Sequence, residues 1–216
     1  MRAVLDAAAR ALRPPSWATL AVSAPYAILC LLAAVAHVSA WFASLAVYYL
    51  TLCCLRGYLL LGLRQAATED DAQVTVRCRN CAWMLIALCV PLAGIVILAV
   101  SADATFSYPG HMVYAFGAYA FGSTGTAVAG LAGSRRHRCP IRVAWGVVSL
   151  GSALVSVFAL QTALLSRFSM EGVEHRMVMN MATGAGVLII LGAAAVAMLL
   201  WTTRKASTEG APVEQI

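Results

Sequence analysis

Four side chains in this sequence have the types that a tetrahedral metal site needs. Cys78 and Cys81 form a Cys-x-x-Cys, and His137 and Cys139 stand together in a later polar segment. Three sulfurs and one imidazole suit Zn²⁺. A single Cys-x-x-Cys is a weak sign, however, and the neighbouring Arg77 and Arg79 repel a cation while favouring thiolates. The plainer reading is a set of ordinary residues at segment edges, and no metal or other cofactor is expected. Arg56 is different, because it is a lone cation in an apolar stretch with no Asp or Glu in that stretch to pair with it. A third group is Gln161, Asn180 and Thr183, which are amide and hydroxyl groups able to line a polar pocket or to bond one another across helices. The sequence contains no nucleophile–base pair, paired carboxylates, Gly-x-Gly-x-x-Gly or Walker pattern. His37, His111, His137 and His175 are dispersed. The residues therefore point to binding and not to an enzyme.

The elements that carry these residues follow from composition. Of 216 residues, 62% are hydrophobic and 11% charged. Soluble domains are about 45–50% apolar and about 25% charged. Lipid is the solvent that tolerates such a chain. Six stretches have the ~20 apolar residues that a spanning helix needs, near 17–37, 41–63, 81–100, 111–132, 141–165 and 179–203. The expected architecture is an all-α, six-span transmembrane helix bundle. A short amphipathic segment (1–15) precedes the bundle (16–205), and a polar, disordered tail (206–216) follows it. The first two stretches meet at His37 and Ser39 in a tight hairpin. Pro25 and Pro91 each remove an N–H inside a helix. Trp17, Trp41, Trp83, Trp145 and Trp201 fall at predicted span ends, where indoles gather at the membrane–water boundary. The first stretch is too long for a signal core, and no lipidation motif is present, so no cleaved leader is expected.

Charge sets the orientation. Arg2, Arg10, Arg13, Arg64, Arg77, Arg79, Arg135, Arg136, Arg138, Arg142, Arg204 and Lys205 fall on one side of a six-span chain; Arg167 and Arg176 fall on the other. The positive-inside rule then puts both termini in the cytoplasm. It also explains the net charge of +6 by attraction to anionic lipid, so no nucleic-acid partner is expected. Arg56 lies fifteen residues after Trp41, about 22 Å along the helix at ~1.5 Å per residue. In a core about 30 Å thick it has two readings. It snorkels to the cytoplasmic interface, or it faces a cavity and an anionic ligand.

Other residues bear on packing. Ala118, Gly122, Thr126 and Gly130 are four apart, which puts small side chains on one helix face. Close packing within the chain is the expected use, and contact with a protein partner or a second copy is the alternative. Ser149, Ser152 and Ser156 are expected to bond their own backbone carbonyls. Cys30, Cys53, Cys54 and Cys89 read as small buried hydrophobes.

Several short pieces resemble a family of small membrane proteins from Gram-positive bacteria. They are Trp41-Phe42, Val47-Tyr48-Tyr49, Leu55-Arg56, Phe106-Ser107-Tyr108-Pro109-Gly110 with Tyr114-Ala115, Ala159-Leu160-Gln161-Thr162-Ala163 and Met181-Ala182-Thr183-Gly184-Ala185. The likeness covers roughly 38–205. It implies a multi-pass protein of the bacterial cytoplasmic (plasma) membrane. It implies no activity, because the family has none assigned. The Tyr-Pro-Gly piece also has a physical reading, since Pro109 and Gly110 suit a short loop opening the fourth helix.

Two functions fit these residues. One is a small-molecule transporter, or the membrane subunit of one, with Arg56, Gln161, Asn180 and Thr183 as candidate ligand contacts. The other is a non-transporting membrane protein that binds partner proteins or lipids through its small-residue face and basic loops.

Overall fold

The computed structural model describes residues 16–65, 71–101, 110–134, 140–168 and 173–209, and within them the chain is helical apart from one turn. The helices are α1 (Ser16–His37), α2 (Ala40–Gln65), α3 (Asp71–Ser101), α4 (Gly110–Ser134), α5 (Pro140–Phe168) and α6 (Val173–Glu209). The expected segments at 1–15 and 210–216 lie outside the described residues. The helix α6 continues through Glu209, past residue 206 where the tail was expected to begin.

The helix starts and stops have local causes. Val38 and Ser39 alone separate α1 from α2, as the His37–Ser39 spacing implied. Val38 takes a left-handed φ of 46°, and the Ser39 N–H reaches back to the Ala34 carbonyl at 3.2 Å. That six-to-one bond closes the helix end in the manner usually made with glycine. Pro25 and Pro91 lie inside α1 and α3, as expected. Gly110 opens α4 directly after Pro109. The main departure is α3, which starts ten residues before its apolar stretch. Helix hydrogen bonding is local and continues where hydropathy stops, so Arg77, Cys78 and Arg79 sit on a helix and not in a loop.

Consecutive helices run antiparallel. A Cβ built on Gly117 of α4 would lie 3.9 Å from Leu160 of α5, and one on Gly130 would lie 3.9 Å from Gly146. The broadest pairings are α3 with α6, α4 with α5 and α1 with α2, while α5 also touches α2, α3 and α6. The core is aliphatic and aromatic, with Trp41, Tyr48, Tyr49, Phe116 and Phe158 fully enclosed. Val22, Val35, Leu61, Val90, Ile97, Phe121 and Ile189 point outward. An apolar exterior of this extent is that of a protein whose solvent is lipid. Among the described residues, five helices are long and apolar enough to cross a membrane, and α4 is not in that set. Its Gly, Ser, Thr and Tyr content lowers its hydropathy.

Three expectations about single residues need correction. Trp41 is fully buried beside Phe158, with ring centroids 6.3 Å apart, because the tight α1–α2 turn directs it into the bundle. Trp83 and Trp201 are exposed, in keeping with a boundary position. Among the cysteines, Cys30 is buried but Cys54 is exposed. The small-residue face of α4 does not pack within the chain as a unit. Ala118 and Gly122 are exposed, nothing lies within 4 Å of a Cβ built on Gly122, and only Gly130 approaches a backbone. Larger residues one step round the helix, Phe116, Tyr119 and Ser123, make the interface instead.

Candidate functional site

Arg56 is 2% exposed. It does not snorkel. The guanidinium turns between α1 and α4, where Nη1 donates to the Ser23 hydroxyl and, at 3.4 Å, to the Thr19 carbonyl. Nε has no hydrogen-bond partner among the described residues. No described carboxylate faces it. The snorkelling expectation fails because depth along a helix does not say which way a side chain points.

Helix geometry assembles the rest. Thr19 and Ser23 are one turn apart on α1, so both face the same neighbour. Ser23 returns its own proton to the Thr19 carbonyl at 2.7 Å, leaving its oxygen free to accept from Arg56. On α4, Tyr119 and Ser123 are again one turn apart. The Tyr119 hydroxyl lies 2.8 Å from Ser152 of α5 and 3.3 Å from Ser23. Ser123 meets Ser156 at 2.8 Å. A polar seam therefore runs from α1 through α4 into α5. Ser156 also bonds its own backbone at Ala153, as expected for a helical serine, while Ser152 serves Tyr119.

Beside this seam lies a cavity of about 150 Å³. Thr19, Val22 and Ser23 of α1 form one wall, and Tyr119, Gly122, Ser123 and Thr126 of α4 form the other; Arg56 of α2 lies between them. Two wall residues, Val22 and Gly122, are exposed on the flank of the bundle. The cavity thus opens sideways between α1 and α4. Each of those helices has one broad interface among the described residues, α1 on α2 and α4 on α5. Their mutual contact is mostly aromatic. Tyr26 of α1 stacks on Tyr119 at 3.8 Å, with the rings 2° from parallel, and meets Phe116 edge-on at 6.0 Å.

The other candidate residues are elsewhere. Gln161 donates to Thr183 at 2.8 Å, and Thr162 and the Ala99 carbonyl each meet Asn180 at 3.4 Å. These bonds tie α5, α6 and α3 together near the opposite end of the bundle from Arg56. Gln161 and Thr183 bond one another, Asn180 bonds α5 and α3, and none of the three lines the cavity beside Arg56. Cys78 and Cys81 are fully buried on α3, packed as core residues. His137 and Cys139 lie outside the described residues, and no metal-holding group of three occurs among the described ones.

Thr19, Ser23, Tyr119 and Ser123 were missed from sequence. A signal existed. Two polar residues one turn apart recur on α1 and α4, and a matching serine series runs along α5. Such stripes inside lipid must find one another or a ligand. No family model, curated protein or solved structure matches this chain.

Proposed function

We propose that this chain is a six-span protein of a bacterial cytoplasmic membrane, with both termini in the cytoplasm, that binds an anionic group at Arg56. It does so as a small-molecule transporter or the membrane subunit of one. The carrying observation is the buried guanidinium with an unpartnered Nε beside a cavity. A buried charge without a counterion costs several kcal/mol. Inside a membrane such residues mark ligand or ion pathways. The cavity lining offers hydroxyls and one guanidinium but no carboxylate, imidazole or thiol. It is equipped to hold an anion. The antiparallel order and the full-length pairing of α4 with α5 support six spans. The basic residues clustered toward one end support the orientation.

Thermal unfolding in detergent tests the reading, with inorganic phosphate, oleate and phosphatidylglycerol as probes. At least one should raise the Tm of the wild-type protein and leave Arg56→Gln unmoved. Equal responses from both proteins, or none from the wild type, would reject the site. A cysteine placed at residue 216 should react with an impermeant maleimide only after the membrane is opened. Labelling of intact cells would reject the orientation.

The non-transporting alternative has one observation in its favour, the unpacked α4 face at Ala118 and Gly122. A stable protein that co-purifies and is lost on Gly122→Leu would favour it.

A further inference from the structure

We propose that the anionic group held by Arg56 is the phosphodiester of a membrane lipid, which enters sideways between α1 and α4. This rests on the anion-binding reading above and adds the ligand's class and route.

The route comes from the mouth of the cavity. Gly122 is twelve residues from either end of α4, so it sits about 18 Å from each end at ~1.5 Å per residue. Val22, across the mouth, is six residues from the start of α1. Both are exposed on a flank whose neighbours Phe121 and Val128 are apolar and exposed as well. Val22 is only about 9 Å along α1 from the helix start, where headgroups lie, and the flank itself faces acyl chains. A lipid whose chains already lie on this flank holds its phosphate within reach of the mouth, whereas a water-soluble anion has no chain to hold it there. The unpacked face of α4 serves the same route. With nothing opposite Gly122 and only Ala118 one turn away, an apolar chain can lie along α4 while its headgroup turns inward.

The class comes from charge and room. One guanidinium neutralises one negative charge, and a second charge in this setting would stand unpaired. That selects a monoanion such as a phosphodiester over a phosphomonoester dianion. Two unesterified oxygens can accept from the fork of Arg56. The cavity of about 150 Å³ has room for several water-sized groups. That exceeds the room a carboxylate fills and admits a phosphodiester with its glyceryl carbons.

The experiment is titration of the delipidated, detergent-purified protein, read by native mass spectrometry. The probes are phosphatidylglycerol, oleate, inorganic phosphate and water-soluble glycerophosphoglycerol. Phosphatidylglycerol should bind one to one. Its apparent Kd should rise at least tenfold in Arg56→Gln and in Gly122→Leu. The second variant blocks the mouth from an exposed position with open space, so it keeps the fold. Glycerophosphoglycerol should bind at least tenfold more weakly than the lipid. If it binds as tightly, and Gly122→Leu changes nothing, the lateral lipid route is overturned while the anion site stands. If oleate binds through Arg56 and phosphatidylglycerol does not, the phosphodiester is overturned and the anion site again stands. If no probe binds the wild type, both readings fall.

Discussion

Gly184 is where α6 lies closest to α3, and adding one methyl there has a calculable cost. A Cβ on Gly184 would sit 2.5 Å from one methyl of Val96 and 2.8 Å from the other. Val96 is buried and β-branched, so its χ1 has little freedom to yield. The helices must separate instead. Overpacking of this kind costs about 1–3 kcal/mol. Separation also lengthens the bond from Asn180, one turn away on α6, to the Ala99 carbonyl, which is already 3.4 Å. Interhelical bonds in membranes average about 0.6 kcal/mol. Alanine recovers about 1 kcal/mol of helix propensity relative to glycine. The sum for Gly184→Ala is a net loss of roughly 0.6–2.6 kcal/mol. Reversible unfolding in mixed micelles, titrated with SDS, measures it. Val96→Ala removes the clashing methyls, so the double variant should be more stable than the two single losses added together. Gly122→Ala, with nothing within 4 Å, is the control and should be neutral or gain up to about 1 kcal/mol. If Gly184→Ala matches or exceeds the wild type, or shows no coupling to Val96→Ala, the proposed closeness of α3 and α6 is wrong.

Three other perturbations have definite expected outcomes. Val38→Gly relieves a β-branched residue held at φ 46° and should raise stability by about 0.5–1 kcal/mol, less than the ~1–2 kcal/mol of left-handed strain because glycine also loosens the unfolded chain; an unchanged or lower Tm would contradict it. Gln161→Leu and Thr183→Val should couple by about 0.6 kcal/mol in a double-mutant cycle and leave anion binding at Arg56 untouched; altered anion binding would return these residues to the ligand site. Tyr119→Phe removes the hydroxyl that meets Ser152 at 2.8 Å but keeps the stack on Tyr26, so it should cost about 0.6 kcal/mol, whereas Tyr119→Ala should cost several-fold more. Equal costs would show that the stack does not join α1 to α4.

Sequence carried the helices well and their neighbours poorly, for a physical reason. Hydropathy reports which solvent a segment prefers, so the positions of six helices, the α1–α2 turn and the helical prolines were legible. It does not report which helix lies opposite. Arg56 shows this most plainly, because its depth could be counted from Trp41 but its direction depends on Ser23, thirty-three residues earlier. The Ala118–Gly130 spacing pointed to close packing within the chain, yet a face of small residues suits a lipid chain as well as a helix, and Ala118 and Gly122 stay exposed. For Gln161, Asn180 and Thr183 the sequence left open a polar pocket or helix joints. The hydrogen bonds select the joints. Helix ends beyond the apolar stretches were also hidden, since α3 and α6 are held there by backbone bonds and not by lipid.

The composition of α4 has a consequence for how the protein is made. Apolar side chains of the Leu, Ile, Phe and Val type drive a helix from the translocon into lipid, at about −0.3 to −0.6 kcal/mol each near its centre. In its 25 residues α4 has five of them: Val113, Phe116, Phe121, Val128 and Leu131. The next helix, α5, has thirteen in 29. Because α4 leaves the ribosome first, its own affinity for lipid is weak at the moment it must leave the translocon. Its hydroxyls find Ser152 and Ser156 only when α5 arrives. The two helices are therefore expected to enter as a pair, with α4 waiting at the protein-lined exit. The helix that supplies one wall of the proposed binding site is also the one whose insertion depends on a helix still being synthesised.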